Sequence, residues 1–279
     1  MTSRPCGHAH SLHDLGSRAA VACAFALGLT GVAWAAPTPP GAIAIEADQG
    51  IEWQRGTRLV IARGNAKAVR DDTEVRAQVL TAHYRDAPDG SAQVWKVDAE
   101  GAVRLTSPGQ TAFGERGTYN VDTGALVLTG GQVGVTTADS KITAQKQLSY
   151  DAKTKTLVAT GNAVAVDGER TVYGDVITVH LREDAAGKTA PTRMEADGHV
   201  RVVTAQDDIR ADRGTFDVER DVATVDGSVR IVRGANQLEG CRGEMNMRTG
   251  VSKLSACPGG QAGGSRVQGL IIPKPKTAP

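Results

Sequence analysis

A short pattern recurs along this chain: a run of alternating apolar residues, a glycine, and a second run of alternating apolar residues. Its copies lie at residues 60–69, 97–105, 126–135, 157–166, 194–202 and 223–231, and the copy at 126–135 is the least regular. Alternation with a period of two places apolar side chains on one face of a β-strand. No apolar pattern with the helical period of 3.6 extends over a helix length. The sequence therefore predicts an all-β fold.

The glycines of the pattern divide the chain into two similar halves. They are spaced 37, 30, 30, 37 and 29 residues apart, at Gly64, Gly101, Gly131, Gly161, Gly198 and Gly227. An offset of about 97 residues pairs the Gly-Asn-Ala of 64–66 with that of 161–163, and pairs 116–119 with 213–216. Because self-similarity at a fixed period indicates one structural unit used repeatedly, residues 43–257 are predicted to form a β domain with a roughly 97-residue internal duplication.

Turn residues between the apolar runs indicate how the strands are connected. Asp, Gly, Lys and Asn follow these runs, as at 122–124 and 151–153, and they are typical of hairpins between antiparallel strands. A parallel β-helix would also consist of repeated units, but it contains few hairpin turns. The predicted architecture is an elongated, twisted antiparallel β-jelly-roll of two facing sheets, built from tandem repeats and open at its ends. The Gly-, Pro- and Lys-containing segment 258–279 is predicted to be a flexible tail.

The beginning of the chain has the features of a secretory signal. Arg4 and Arg18 precede an apolar stretch that closes on the Ala-x-Ala signature at 33–35, so residues 1–36 are predicted to be a cleaved signal peptide and 37–42 a Pro-rich linker. The alternative is a signal retained as a membrane anchor. A cleaved signal predicts a periplasmic location, where disulfides form.

Cleavage would leave a mature chain without net charge. It removes Arg4, Arg18 and Asp14 from 32 basic and 31 acidic residues, which leaves 30 of each. A general nucleic-acid binder is expected to keep a basic excess, because counterion release drives its binding, so no nucleic-acid partner is predicted. The sequence also contains no serine-hydrolase elbow, zinc-protease helix or phosphate-binding loop, and its histidines are scattered. Neither enzymatic activity nor a metal or other cofactor is expected.

Two cysteines, Cys241 and Cys257, remain after the predicted cleavage. They flank the turn-like residues 248–250. A hairpin centred on Thr249 would place them opposite each other, at a Cα separation of about 4.5 to 5.5 Å that suits a disulfide. The sequence therefore predicts a disulfide that closes the last hairpin, and a pair of buried free thiols is the alternative.

The signal peptide, the opening sequence Ile-Ala-Ile-Glu-Ala-Asp at 43–48 and the tandem Ala-x-Gly-x-Val-x-Val units resemble the LptA/OstA-like family of periplasmic organic-solvent-tolerance and lipopolysaccharide-transport proteins. The resemblance covers about residues 43–254. It implies a half-open β-jelly-roll that binds lipopolysaccharide through the lipid A acyl chains and carries it from the inner to the outer membrane during outer-membrane assembly. It also implies head-to-tail self-association and two same-fold partners, an inner-membrane exporter component and an outer-membrane assembly component.

Apolar side chains that point into an open-ended sandwich would form a groove for acyl chains. Many of them are Ala or Val, whose small side chains would leave a gap between the sheets for a lipid. The alternative is an ordinary closed sandwich core. The basic residues Lys67, Arg104, Arg201 and Arg230 alternate with this set and are expected on a solvated outer face or at a rim that meets lipid phosphates. The predicted groove-lining residues are Ala66, Ala68, Val103, Leu105, Tyr119, Val121, Leu126, Leu128, Ala163, Ala165, Val200, Val202, Phe216, Val218, Ala223 and Val225.

A second function class is a β-repeat scaffold or β-helical protein that binds cell-envelope polysaccharide. Saccharide sites use exposed aromatic platforms and paired acidic residues. The chain has three Trp, one of which lies in the predicted signal, and no pair of acidic residues is singled out by its spacing. The sequence therefore favours lipid transport.

Overall fold

The computed structural model describes residues 42–88, 90–183, 189–257 and 266–272, so the predicted signal peptide and most of the linker lie outside the described residues. Within these ranges no helix is long and apolar enough to cross a membrane. The prediction of an all-β fold is confirmed. In chain order the strands are β1 (Ala44–Glu46), β2 (Gly50–Gln54), β3 (Leu59–Arg70), β4 (Thr73–Asp86), β5 (Ala92–Ser107), β6 (Gln110–Asn120), β7 (Ala125–Thr129), β8 (Val133–Thr137), β9 (Ser140–Ala144), β10 (Gln147–Asp151), β11 (Thr156–Asp167), β12 (Arg170–Glu183), β13 (Thr189–Val203), β14 (Asp208–Asp217), β15 (Val222–Arg233), β16 (Asn236–Asn246), β17 (Ser252–Ser255) and β18 (Gln268–Leu270).

The strands form one antiparallel sheet. The long strands β3–β6 and β11–β16 each pair with the next long strand in the chain. Between β6 and β11, four short strands take the place of two long strands: β7 and β8 both pair with β6, and β9 and β10 both pair with β11. The same happens at the two edges, where β1 and β2 both pair with β3, and β17 and β18 both pair with β16.

This pairing divides the sheet into two layers. The upper layer contains β1, β8, β9 and β18, the lower layer contains β2, β7, β10 and β17, and each long strand passes through both layers. The facing layers are therefore two parts of one sheet, rather than the two separate sheets that the hairpin pattern predicted.

A Gly-x pair at a bend joins the two layers within a long strand. In β3, Gly64 and Asn65 have φ values of 80° and 44°. The register with β4 shifts between Arg63, which faces Val79, and Ala66, which faces Ala77, so that Gly64 and Asn65 together lie opposite the single residue Gln78. A bulge of this kind bends the strand and increases its twist. The same pair of positive φ values occurs at 101–102, 161–162, 198–199 and 227–228, and we call these the corner pairs.

Glycine is required at the first position of a corner pair. At Gly101 φ is 80°, and an added Cβ would lie 2.7 Å from Cγ of Gln78. The least regular copy of the sequence pattern differs, because its positive φ belongs to Gly130, and residues 130–132 form the bend between β7 and β8. The glycine that corresponds to the others is therefore Gly130 and not the predicted Gly131.

Small side chains fill the interior beside the corners. Ala66 and Ala163 directly follow the corner pairs of β3 and β11, and both are completely buried. The buried side chains form a large cluster, which includes Leu128 and Leu148, and a separate small cluster near the C-terminal edge. The small cluster consists of Ile209, Ala211, Val225 and Val229.

The segment predicted as a flexible tail contains a strand. Residues Gln268–Leu270 form β18, which pairs with 237–239 of β16. Strand β17 pairs only with 242–245 of β16, so β18 provides partners for backbone groups that β17 does not reach. The tail prediction is corrected for this part of the segment.

Cys241 and Cys257 are joined by a disulfide, and their Cα atoms are 4.9 Å apart. The register of the last hairpin is one residue away from the predicted one, because Arg242 faces Ser255. Cys257 therefore lies just beyond the end of β17, where the chain leaves the lower layer.

Candidate functional site

A groove with a cavity volume of about 870 Å³ lies between the two layers. Its walls are mainly apolar. The upper layer contributes side chains such as Val75 and Leu105, and the lower layer contributes Val97, Leu126 and Leu157. Each of the strands β3–β14 supplies lining residues, whereas among the described residues none of the lining comes from β15–β18.

One contact shows how closely the layers approach each other. Cζ of Arg170, at the upper-layer end of β12, lies 4.8 Å from the ring centroid of Phe216, in the lower-layer part of β14. Both strands pair with β13, where Thr171 faces Val203 and Phe216 faces Met194. A straight strand would separate these two positions on β13 by about 30 Å. The contact therefore requires β13 to fold back at its corner pair, so that the layers face each other across the groove.

Most of the predicted groove residues border this cavity. They share a position several residues away from a corner pair, where the layers have diverged. Two residues are exceptions: Val103, which directly follows a corner pair, and Leu128, which lies just before the bend at Gly130, are both almost completely buried. The predicted residues that line the groove are Ala68, Val103, Leu105, Tyr119, Val121, Leu126, Leu128, Ala165, Phe216 and Val218.

The other six predicted residues do not border the cavity. Ala66, Ala163 and Val200 directly follow corner pairs and are buried in the large cluster, because the layers converge there and leave no space. Val202 packs against both buried clusters. Val225 belongs to the small cluster, and it lies with Ala223 on β15, beyond the end of the groove.

Sequence reasoning missed lining residues on the returning strands. Val75, Ile142, Leu148, Val172 and Leu181 border the groove but were not among the predicted residues. Each alternates with outward-facing residues, so the same period-two signal was available. The pattern centred on glycine lies on one strand of each hairpin, and the predicted set included residues of only two returning strands, β6 and β14.

Among the described residues, charged side chains border the groove only along one side, which we call its mouth. Among the described lining residues these are Arg70, Asp167 and Arg170, next to the turns of the β3–β4 and β11–β12 hairpins. The remaining lining is apolar or neutral, and no group of His, Cys, Asp or Glu in the described part of the chain is arranged to hold a metal ion. The chemistry of the groove is therefore that of an apolar binding surface.

The most connected ionisable group of the lower layer lies on its outer face. Asp98 alternates with the groove residues Val97 and Ala99, and it contacts His83 at 2.7 Å, Thr118 at 2.8 Å and Lys96 at 2.8 Å. Burial raises the pKa of Asp98, but the hydrogen bonds from these three side chains outweigh burial and hold the pKa below its ordinary value. Of these four residues, only Thr118 also borders the groove.

The model of one protein family, described as "LptA/(LptD N-terminal domain) LPS transport protein", matches the chain twice, over residues 44–146 and 141–251. The two matches together cover most of the chain. The chain belongs to this family of lipopolysaccharide-transport proteins. The resemblance seen in the tandem units is thereby confirmed. The matches begin 97 residues apart, and we refer to 44–146 as the first repeat and to 141–251 as the second repeat.

Among solved structures, the chain is similar to LptH from Pseudomonas aeruginosa, whose crystal structure is described as that of the LptA-homologous periplasmic component of the conserved lipopolysaccharide transport device. The two share 15% sequence identity, with 48% of this chain and 95% of that chain covered and a TM-score of 0.41. Both values are too low for this similarity to support a function. A comparison with curated proteins gave no match.

Proposed function

We propose that this chain is a periplasmic bridge protein that binds lipopolysaccharide and carries it from the inner to the outer membrane during outer-membrane assembly. The observation that carries the proposal is the apolar groove between the layers, in a chain that belongs to a lipopolysaccharide-transport family. The acyl chains would lie in the groove, and the polar headgroup would lie at its mouth.

The apolar lining can bind acyl chains without a specific polar contact. Tyr119 and Val218 border the groove and are still 40% and 36% exposed, so an acyl chain would cover apolar surface that now faces solvent. Burial of one methylene contributes about 0.8 kcal/mol, so a chain of roughly a dozen carbons gains at most about 10 kcal/mol. Similar side chains line the groove from β3 to β14, so a lipid would gain a similar free energy at neighbouring positions and could move along it.

The two edges of the sheet support head-to-tail assembly. Ile51 and Trp53 on β2 are exposed at one edge, and Leu270 and Ile271 are exposed at the other. Edge strands with unpaired backbone groups and exposed apolar side chains can pair with a strand of another molecule. Copies of this chain, or same-fold components at each membrane, would extend the sheet in this way. We expect the mass from light scattering to rise with protein concentration, and a constant monomer mass would contradict the assembly.

Secretion is part of the proposal. The intact mass of the chain recovered from the periplasm is expected to correspond to loss of residues 1–36. Recovery of the full-length mass in the membrane fraction would instead indicate a retained anchor.

Groove binding is tested by displacement of a fluorescent acyl probe with purified lipopolysaccharide. Val121→Asp and Val218→Asp each place a charge in the groove and are expected to weaken lipopolysaccharide binding at least about tenfold, since an unpaired charge disfavours an apolar contact. Val127→Asp is the matched control, because Val127 alternates with the groove residues Leu126 and Leu128 and faces outward. Equal affinity of all three folded variants and the parent would contradict the proposal.

A further inference from the structure

The contact between Arg170 and Phe216 crosses the mouth of the groove. The two residues belong to opposite layers, both border the groove, and the guanidinium lies over the aromatic ring. We propose that this pair forms an anion-binding site, which takes the phosphate or carboxylate headgroup of an amphiphile whose acyl chains lie in the groove. This inference rests on the function proposed above and adds a specific polar contact to it.

The guanidinium of Arg170 has donors available for an anion. An Arg that stacks on an aromatic ring uses the face of its planar group, which leaves the N–H donors in the plane of the group free. Among the described residues no carboxylate forms an ion pair with Arg170. By contrast, Arg201 and Arg233 each bind a carboxylate at 2.7 Å. A phosphate or carboxylate can accept two parallel N–H bonds from such a fork.

The surroundings of Arg170 set the polarity of the mouth. Asp167 borders the groove on the same hairpin and would repel an anion. Arg70 also borders the groove, but it forms an ion pair with the adjacent Asp71, with Nε of Arg70 3.8 Å from Oδ2 of Asp71. Arg170 is therefore the lining cation that has no carboxylate partner among the described residues.

The ring of Phe216 places the anion site directly above the apolar lining. Phe216 and Val218 border the groove in the lower layer, and Arg170 borders it in the upper layer. An anion bound to Arg170 would therefore lie at the mouth, with the first methylenes of its chain against the ring. This geometry suits an anionic amphiphile better than a free anion, since only the amphiphile uses both parts.

The first repeat does not contain the site. An offset of 97 residues places Thr73 at the position of Arg170 and Tyr119 at the position of Phe216, and both residues also border the groove. Threonine carries no charge, so the equivalent place in the first repeat lacks the anion-binding group. The inference assigns the headgroup contact to the second repeat.

The test compares two amphiphiles with the same alkyl chain on the mature full chain. Isothermal titration calorimetry measures the affinity of dodecyl phosphate and of the uncharged dodecyl maltoside for the parent, Arg170→Gln and Arg210→Gln. Arg210 is the control because its exposed side chain lies on the outer face of β14. We expect Arg170→Gln to lower the affinity for dodecyl phosphate about tenfold and to change the affinity for dodecyl maltoside less than about twofold. The reason is that only dodecyl phosphate accepts charged hydrogen bonds from the guanidinium. Arg210→Gln should change neither.

A gain-of-site variant keeps the test independent of any loss of folding. Thr73→Arg places a guanidinium at the position equivalent to Arg170, with Tyr119 at the position of Phe216, and is expected to increase binding of dodecyl phosphate through a second site of similar kind. Unchanged binding of dodecyl phosphate to Arg170→Gln, or an equal loss for both amphiphiles, would overturn the inference while leaving the groove in place. Failure of the parent to bind either amphiphile would overturn the proposed function itself.

A competition experiment with inorganic phosphate distinguishes a lipid headgroup from a free anion. If inorganic phosphate displaced dodecyl phosphate at an equal concentration, the assignment to a lipid headgroup would be contradicted.

Discussion

In the first repeat, Leu126 and Leu128 on β7 border the groove, whereas in the second repeat the equivalent positions on β15 carry Ala223 and Val225 and lie beside a closed core. The corner pairs, by contrast, have the same backbone form in both repeats, as at 64–65 and 161–162. The repeats therefore differ in their interior side chains and, at this third unit, in strand path, because the continuous strand β15 takes the place of β7 and β8.

This comparison separates two roles of the sequence. The glycines of the corner pairs determine where each strand bends, and the size and position of the apolar side chains determine whether the space between the layers stays open. The groove ends at β14, because the interior beyond it is filled by the small buried cluster. A headgroup contact at Arg170 would accordingly lie near one end of the groove.

The largest effect is expected at the corners, which the repeats share. Gly101→Ala and Gly198→Ala should each lower the free energy of unfolding by about 4 kcal/mol, because both glycines have positive φ and an added Cβ would meet a neighbouring side chain. Gly131→Ala is the control: its φ is not positive and the nearest atom, Oε1 of Glu115, lies at 3.3 Å, so we expect less than about 1 kcal/mol. Urea unfolding measures all three. A marked difference between Gly101→Ala and Gly198→Ala would contradict equivalent corners.

The interior should respond differently in the two repeats. Leu128→Ala is expected to cost about 3 kcal/mol of unfolding free energy, because Leu128 is completely buried, whereas Val225→Ala should cost about 1.5 kcal/mol. Leu128→Ala also alters the groove wall and should change the affinity for an acyl probe, while Val225→Ala should not. If Val225→Ala changed probe affinity as much as Leu128→Ala, the groove would extend into β15.

The disulfide joins Cys241 in the second repeat to Cys257, which follows that repeat. In the chain without residues 1–36, Cys241→Ser/Cys257→Ser should lower the free energy of unfolding by about 2 kcal/mol, since the link spans 16 residues of sequence. Probe affinity should stay unchanged, because neither cysteine borders the groove. Titration of the denatured parent with Ellman's reagent should find no free thiol. Two free thiols per chain would show that the bridge does not form.

The smallest effect concerns the outer face. Because the pKa of Asp98 is lowered in the folded state, its contribution to stability is present above the unfolded-state pKa of about 3.9 and is lost as the pH falls through the lower folded-state value. Asp98→Asn should therefore reduce stability by about 1 kcal/mol or less at pH 7, and the difference from the parent should shrink below about pH 4. A difference that grows on acidification would mean that the sign of the pKa shift is wrong.

Much of the fold could be predicted from the sequence, because period-two alternation and turn residues are local signals. The groove was predicted less completely. Ala66 and Ala68 have the same pattern in the sequence, but Ala66 is buried and Ala68 borders the groove, since the space between the layers depends on distance from the corner. The contact between Arg170 and Phe216 had no local signal, because it forms only when β13 folds back. Strand β18 was not predicted, because the Gly- and Pro-containing residues on both sides of it are typical of a flexible tail.

Photo-crosslinking tests the central claim most directly. A photoreactive residue is placed at Val121 or Val218 in the groove, or at the outward positions Arg104 and Val127, and the protein is irradiated in the presence of lipopolysaccharide. We expect lipopolysaccharide adducts at Val121 and Val218 and none at the two outward positions. Adducts confined to Arg104 and Val127 would show that the lipid binds the outer face and that the groove is not its path.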